Sequence, residues 1–483
     1  MFLENIKRLV TRHKASTGGA EDHSSPISRY QVGTLTYTRW GIVRLFAWLL
    51  WGDFCFSLME TVMPTLLPLS LNDLGVKLAT IGIIMGSIPN LMAFFTVPVI
   101  STRSDRHRGR YGRRIPFLFW ATPFITIFLI LIGYSNTIGT WLHGAFLGKY
   151  LHVSAFSVIF VIVCVCSIGF QFFNMFINSI YYYIWPDVVP DVFLGRFMSL
   201  FRIVSQAAAF VWSRYIFKYA GTHRQEIYLG IGLLYLVSFM LMCWKIKEGN
   251  YPPPPKPTHR PNLIRSVKTY MRECFTHPFY LWFFVATTIF GFSGAAAAFS
   301  IFFSLNTLHL SYEQIGKINS WCVLLSIPVL VVLGWLSDKI HPVRMAIVAT
   351  IFNIIMPAVG FFFVYDAKSF LIFSLIGTVA YYAYIVCSIP MFAAILPRER
   401  YGQFCSAQGM MAALCGIVGI FLAGKFIDVV GDYRYIFIWK GVFVAASLIP
   451  MLIVYRKWMQ YGGSKNYTPP AVDLPVPETV TPK

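Results

Sequence analysis

The chain has 483 residues, of which 57% are hydrophobic and only 12% charged; a soluble domain carries roughly 25% charged residues. That balance excludes a string of soluble domains and points to a membrane protein. The formal net charge of +20 would suit a nucleic-acid binder, but the basic residues lie between apolar runs, where membrane orientation accounts for them. The expected partner is therefore the lipid bilayer, with no nucleic acid.

Residues 1–39 form a basic, Ser/Thr/Gly-containing tail without an apolar h-region, so no cleavable signal peptide is expected. Apolar spans are predicted at 42–71, 78–100, 115–135, 153–184, 193–219, 226–246, 279–305, 314–336, 344–365, 369–396, 403–424 and 435–455. Each reaches or exceeds the ~20 residues that cross a bilayer, and the longer ones imply tilt. The reading is an all-α integral membrane protein with twelve transmembrane helices in two six-helix halves, 40–247 and 279–460. Between them, residues 248–278 contain EGNYPPPPKPTHRPN, whose prolines forbid a continuous helix and favour an extended, semi-rigid cytoplasmic linker. Residues 461–483 are Pro-rich and predicted to be a disordered cytoplasmic tail.

Arginines and lysines crowd the connections after the even-numbered spans, as in SDRHRGRYGRRIP after span two, and are sparse in the others. The positive-inside rule then places both termini in the cytoplasm, in a plasma or inner membrane. The nine cysteines form no CxxC pairing or even framework, so neither disulfides nor zinc are expected. There is no GxxxxGK[ST] loop for ATP and no H-E-x-x-H or G-x-S-x-G element for a hydrolase. No enzymatic activity and no cofactor are expected.

Asp53 and Glu60 are the acids that fall well inside an apolar span. An ionised carboxylate at that depth costs at least a few kcal/mol, so it normally faces a cavity, a partner or an ion. The seven-residue separation is two helical turns, which puts both acids and Ser57 on one face. They are candidates for coupling to H+ or Na+; the alternative is a structural ion pair, with Arg202 on span five as the available cation. On span four, Gln171, Asn174, Asn178 and Tyr181 form a polar stripe at i, i+3, i+7 and i+10. Amides donate and accept, as a hydroxylated solute requires, though interhelical hydrogen bonding would use them as well. Arg202, Gln206, Tyr382 and Gln408 join them as substrate candidates. Tyr381, Tyr384, Trp321, Phe290 and Phe292 offer aromatic faces, for which packing is the alternative. Asp105 with Arg113 and Arg114, and Asp338 with Arg344, sit at span ends and read as a two-part gating latch.

The halves look related. SDRHRGRYGRRIP after span two matches GWLSDKIHPVRM after span eight, and GRFMS opening span five matches GQFCS opening span eleven. Parallel repeats of this kind are a transporter architecture. GWLSDKIHPVR resembles the second-half signature of the major facilitator superfamily, and SDRHRGRYGRRIPF the first-half form with an expanded loop. That loop, GDFCFSLMETVMPTLLPLSLNDLG on span one, and NSIYYYIWPDVVPDVFLGR resemble the sucrose/proton symporters and the glycoside–pentoside–hexuronide cation symporters. The resemblance places Asp53 and Glu60 at those families' acidic positions, and Pro186, Asp187 and Arg196 at their P-D and following Arg. Gln171 and Tyr182 depart from it, occupying the places of an acid and an arginine. It implies the major facilitator fold and a monomeric secondary transporter, coupling a cation, expected to be a proton, to a sugar or glycoside. A uniporter or exporter of another small solute, or a non-transporting receptor or scaffold, are the alternatives.

Overall fold

The computed structural model of the chain describes residues 30–148, 153–250 and 270–470. Expectations for residues 1–29, for the proline run of the linker and for 471–483 lie outside the described residues. Twelve helices long and apolar enough to cross a membrane are present among them. They are α1 Arg39–Asp73, α2 Leu78–Arg106, α3 Ile115–Gly133, α4 Ala155–Val188, α5 Asp191–Tyr219, α6 Arg224–Lys245, α7 Pro278–Thr307, α8 Tyr312–Ile340, α9 Pro342–Phe363, α10 Ala367–Ile395, α11 Tyr401–Val430 and α12 Tyr433–Gln460. The spans run in alternate directions, so the helix ends form a linker face, which carries Asp105 and Asp338, and a far face opposite.

The repeat seen in sequence is also a repeat of packing. In the first half α1 packs on α5 and α6, α3 on α4 and α6, and α2 on α4. Six helices later α7 packs on α11 and α12, α9 on α10 and α12, and α8 on α10. The contacts between halves obey the same relation, α2 against α11 and α5 against α8.

These two seams lie toward the far face. On α2 they run from Leu78, beside Gly424, to Asn90, beside Gly416. On α5 and α8 they run from the Gln206–Ser326 contact to Ser213 beside Gly316. One apolar cluster continues from the first half into the far-face ends of the second, through Phe299, Ile315, Ile427 and Phe437. A separate cluster, including Phe279, Val343, Phe404 and Trp458, fills the linker-face part of the second half. The halves therefore meet at the far face and diverge toward the linker face, leaving a cleft that opens there.

The seams close because residues without side chains sit at the crossings. A Cβ on Gly424 would stand 2.5 Å from the Leu78 carbonyl oxygen, and one on Gly316 would overlap the Ser213 carbonyl oxygen. Membrane helices lack the hydrophobic driving force of water and rely on such close backbone approach. Asp428 on α11 adds a polar clasp: its carboxylate accepts from the backbone N–H of Leu78 at 3.1 Å and Ala79 at 2.9 Å. These donors belong to the first turn of α2, which lacks intrahelical partners and carries the positive end of the helix dipole.

Two polar segments at the ends of the described residues are folded. Gln31–Val32 pairs with Leu35–Thr36 in a short hairpin, and the Asn250 N–H donates to Thr34 Oγ1 at 2.8 Å, tying it to the start of the linker. The C-terminal segment departs from the predicted disorder as far as Pro470. Tyr467 packs between Phe279 and Trp458, and its hydroxyl donates to the Ile395 carbonyl at 2.7 Å. The Tyr280 hydroxyl holds the Pro470 carbonyl at 3.0 Å. An aromatic anchor offsets the entropy that Pro and polar composition would otherwise leave free.

Gly316→Val should prevent the far-face seam from closing. Spin labels at Thr222 and Asp432, on the far-face connections of the two halves, should report a longer distance in the variant than in the parent.

Candidate substrate and coupling site

Asp53 and Glu60 share a helix but have different surroundings. Asp53 is fully buried between α1 and α5, where its Oδ2 accepts from the Ser205 hydroxyl at 3.0 Å. Ser57 Oγ donates to Ser205 Oγ at 3.4 Å. The other carboxylate oxygen, Oδ1, is buried with no hydrogen-bond partner among the described residues. The suggested ion pair with Arg202 does not form: Ser205, one turn further along α5, takes the position instead. Arg202 is exposed and lies four residues before Gln206, on the helix face turned to the second half where the halves have parted.

Glu60 turns toward α4. Asn174 Nδ2 donates to Oε1 at 2.6 Å and Asn178 Nδ2 to Oε2 at 3.5 Å. The amide stripe thus holds a carboxylate, and the Asn174 carbonyl oxygen remains buried and unpartnered. Gln171 continues the stripe, half-buried, toward the far face. Tyr181 leaves it: fully buried, it donates to the Leu49 carbonyl at 2.9 Å and packs on Phe56 and Trp185. The i+10 position has rotated from the polar face into the α1–α4 seam, so Tyr181 is a packing residue here rather than a substrate contact.

Gln206 bridges the halves. Its Nε2 donates to Ser326 Oγ on α8 at 2.5 Å and to the Tyr382 hydroxyl on α10 at 3.3 Å. It closes the cleft at the inner end of the α5–α8 seam. Gln408 on α11 reaches Thr287 Oγ1 at 3.5 Å within the second half. The aromatic candidates largely satisfy one another: Phe290 stacks on Tyr384 and Phe292 on Trp439. Tyr381 and Tyr382 meet edge to face, with centroids 5.4 Å apart.

At the linker face the first-half part of the predicted latch lies within a larger ionic cluster. Asp187, at the end of α4, is its hub: it pairs with Arg113 at 2.6 Å and Arg114 at 2.6 Å, while Asp105 reaches Arg114 at 3.6 Å. Glu248, just past α6, accepts from the backbone N–H groups of Arg113, Arg114 and Ile115 at 3.0, 2.9 and 2.6 Å, holding the start of α3. All these residues belong to the first half except Glu248, the first residue of the linker. In the second half Asp338 and Arg344 are both exposed and form no ion pair with each other. Glu273 instead accepts from Gln403 at 2.6 Å and pairs with Arg400 at 3.5 Å. Linear proximity to a span end brought out Asp105 and Asp338; Asp187, Glu248 and Glu273, which make the shorter contacts, are distant in sequence from their partners. Asp428 lies beyond the predicted end of its span. Lys440 lies inside span twelve, where the rule that singled out the intramembrane acids applies equally to a cation.

Pseudo-symmetric halves that meet at one membrane face and part at the other, with polar groups converging between them, are the build of a secondary transporter. The chain belongs to the Major Facilitator Superfamily, whose sequence model matches residues 49–419 and 298–470; it is a multi-pass membrane transporter, not an enzyme. No curated protein matches it by sequence. Solved structures similar to it include a bacterial homologue of the iron transporter ferroportin, at 15% identity and TM-score 0.65, covering 86% of this chain and 99% of that one. A bacterial homologue of the human lysosomal transporter Spinster has 13% identity and TM-score 0.64, covering 90% and 100%. A D-xylose-proton symporter has 11% identity and TM-score 0.56, covering 85% and 97%. At these identities the likeness is one of fold.

The linker-face contacts separate two acids that look equivalent in sequence. Asp187→Ala would strand the Arg114 side chain, 9% exposed, and should lower stability by about 3–5 kcal/mol, as loss of one partner from a buried pair does. Asp338→Ala should stay within about 0.5 kcal/mol, as exposed substitutions do. Thermal unfolding of both variants in detergent checks the contrast.

Proposed function

We propose that this transporter is a cation-coupled symporter, with the proton as coupling ion and a sugar or glycoside as solute, working by alternating access as a monomer. The observation that carries the reading is Asp53, a fully buried carboxylate with one unpartnered oxygen and no cation in contact. A buried charge must be neutralised or paired, and a proton does so with a single oxygen, whereas a hard metal cation needs a shell of several. Ser57 and Ser205 are the hydroxyls beside Asp53.

Glu60 is the second coupling group. Asn174 and Asn178 donate to it when it is ionised; when it is protonated, those amides are released to a solute's hydroxyl groups. That exchange of partners links the charge of α1 to occupancy of the cleft. Arg202, Gln206, Tyr382, Gln171 and Gln408 supply further donors and acceptors. Gln206 spans both halves, so a solute that displaces Ser326 and Tyr382 from it would loosen the far-face closure. The Asp428 clasp on α2 must also part when that face opens. Among the similar structures, the D-xylose-proton symporter is a precedent on this fold. The arginine-rich linker face would lie in the cytoplasm, in a plasma or inner membrane.

In lightly buffered proteoliposomes, a panel of monosaccharides and disaccharides should include one whose addition shifts the pH. Glu60→Gln should reduce that shift by about tenfold or more, and Asp53→Asn should abolish uphill accumulation while leaving solute exchange. Sugar entry without a pH shift would indicate Na+ coupling or facilitation. If no sugar enters but a cationic solute does, the carboxylates are a substrate site and the sugar assignment fails.

A further inference from the structure

Lys440 is a cation inside α12, seven residues beyond its first residue, Tyr433. It lines a cavity of about 550 Å³ within the second half, walled by α7, α9, α10 and α12, with Gln408 contributed by α11. Lys440 belongs to no ion pair among the described residues, and no acid lines the cavity. The far-face acids of this half are committed elsewhere. Glu313 pairs with Lys317, Asp366 caps α10 through the Ser369 N–H, Asp432 accepts from the Arg434 N–H, and Asp428 holds the start of α2.

A lysine near a span end can snorkel along the helix to the membrane surface. Here Ile436 and Phe437, one turn nearer the far face, are buried and line the same cavity as Lys440. Tyr381 and Gln408 share that space. Tyr381 adjoins Tyr382, whose hydroxyl meets Gln206 of the other half, so the cavity borders the interface where the halves separate. An intramembrane cation needs an anion, water or a charged ligand for compensation, and a neutral hydroxyl leaves its charge unmatched.

We infer that the Lys440 cavity is an anion subsite, so that the transported solute combines hydroxyl groups with one carboxylate or phosphate group. The anionic group rests on the Lys440 ammonium, and Tyr381 and Gln408 meet the neighbouring hydroxyls. This rests on the reading of the protein as a sugar symporter and narrows its solute class. It also assigns the halves complementary tasks: the first, with Asp53 and Glu60, handles the coupling cation, and the second reads the charge of the solute.

The test uses the full-length transporter in proteoliposomes with matched solutes: glucose, glucuronate and glucose 6-phosphate, and galactose with galacturonate. Wild-type protein should take up one anionic member at least about tenfold better than its neutral parent, the uronates and the phosphate ester separating the two anion sources. Lys440→Met should bring acid and parent to the same level, and Lys440→Arg should keep the preference. Inorganic phosphate and acetate, tested as competitors of wild-type uptake, provide a readout that needs no variant to fold. Equal uptake of neutral and anionic members, or an anion preference that survives Lys440→Met, overturns the subsite. A neutral sugar entering with a pH shift and no anion preference would overturn the subsite and leave the symport reading standing. Anion uptake lost in Lys440→Met but accompanied by no proton movement would support the subsite and remove the proton coupling.

Discussion

A carboxylate buried without a counter-charge at the middle of α1 is the constraint on which the first half depends. Asp53 has no cation in contact and one oxygen without a donor, in a region where burying a charge costs several kcal/mol unless it is paired or neutralised. The helices around it meet the carboxylates with neutral groups: Ser205 from α5 beside Asp53, and Asn174 and Asn178 from α4 beside Glu60. Neutral donors stabilise a carboxylate without a permanent ion pair.

The two membrane faces of the molecule are held by different physics. At the far face the halves touch through backbone, at Gly316 and Gly424, and through one carboxylate on the free N–H groups of a helix start. Each of these contacts is narrow. At the linker face the ionic contacts do not bridge the two halves: Asp187 pairs with Arg113 and Arg114 in the first, and Glu273 of the linker with Arg400 of the second. Those clusters tie helix ends on one side of the cleft to one another. Rigid halves joined by breakable seams are what a rocking motion about a midplane site requires.

Much of the fold was legible in the sequence. Twelve apolar spans, their alternation and the six-plus-six repeat follow from hydropathy and from SDRHRGRYGRRIP against GWLSDKIHPVRM, because every segment in a bilayer must satisfy its own backbone as a helix. The acids of α1 and the amides of α4 also stood out, since polar residues are rare at that depth. Periodicity misplaced Tyr181, whose hydroxyl turns to the Leu49 carbonyl, because a stripe extended over three turns drifts around the helix. Residues 461–470 differ from the reading for another reason. Composition there favours disorder, but Tyr467 finds an aromatic site formed by Phe279 and Trp458, and that site exists only once α7 and α12 are packed together.

The amino-acid sequence by itself determined the class: a helical membrane protein of two related halves, with acids inside its first span. Its local pattern is enough for this, because hydropathy, charge distribution and repeats are properties of neighbouring residues. Only the tertiary structure decided which groups meet. It gave Asp53 to Ser205 rather than Arg202, made Asp187 rather than Asp338 the hub of an ionic cluster, set Asp428 on the start of α2, and left Lys440 facing a cavity without a carboxylate. Those pairings join residues tens to hundreds of positions apart, and their partners are set by helix rotation and crossing, which no single span encodes.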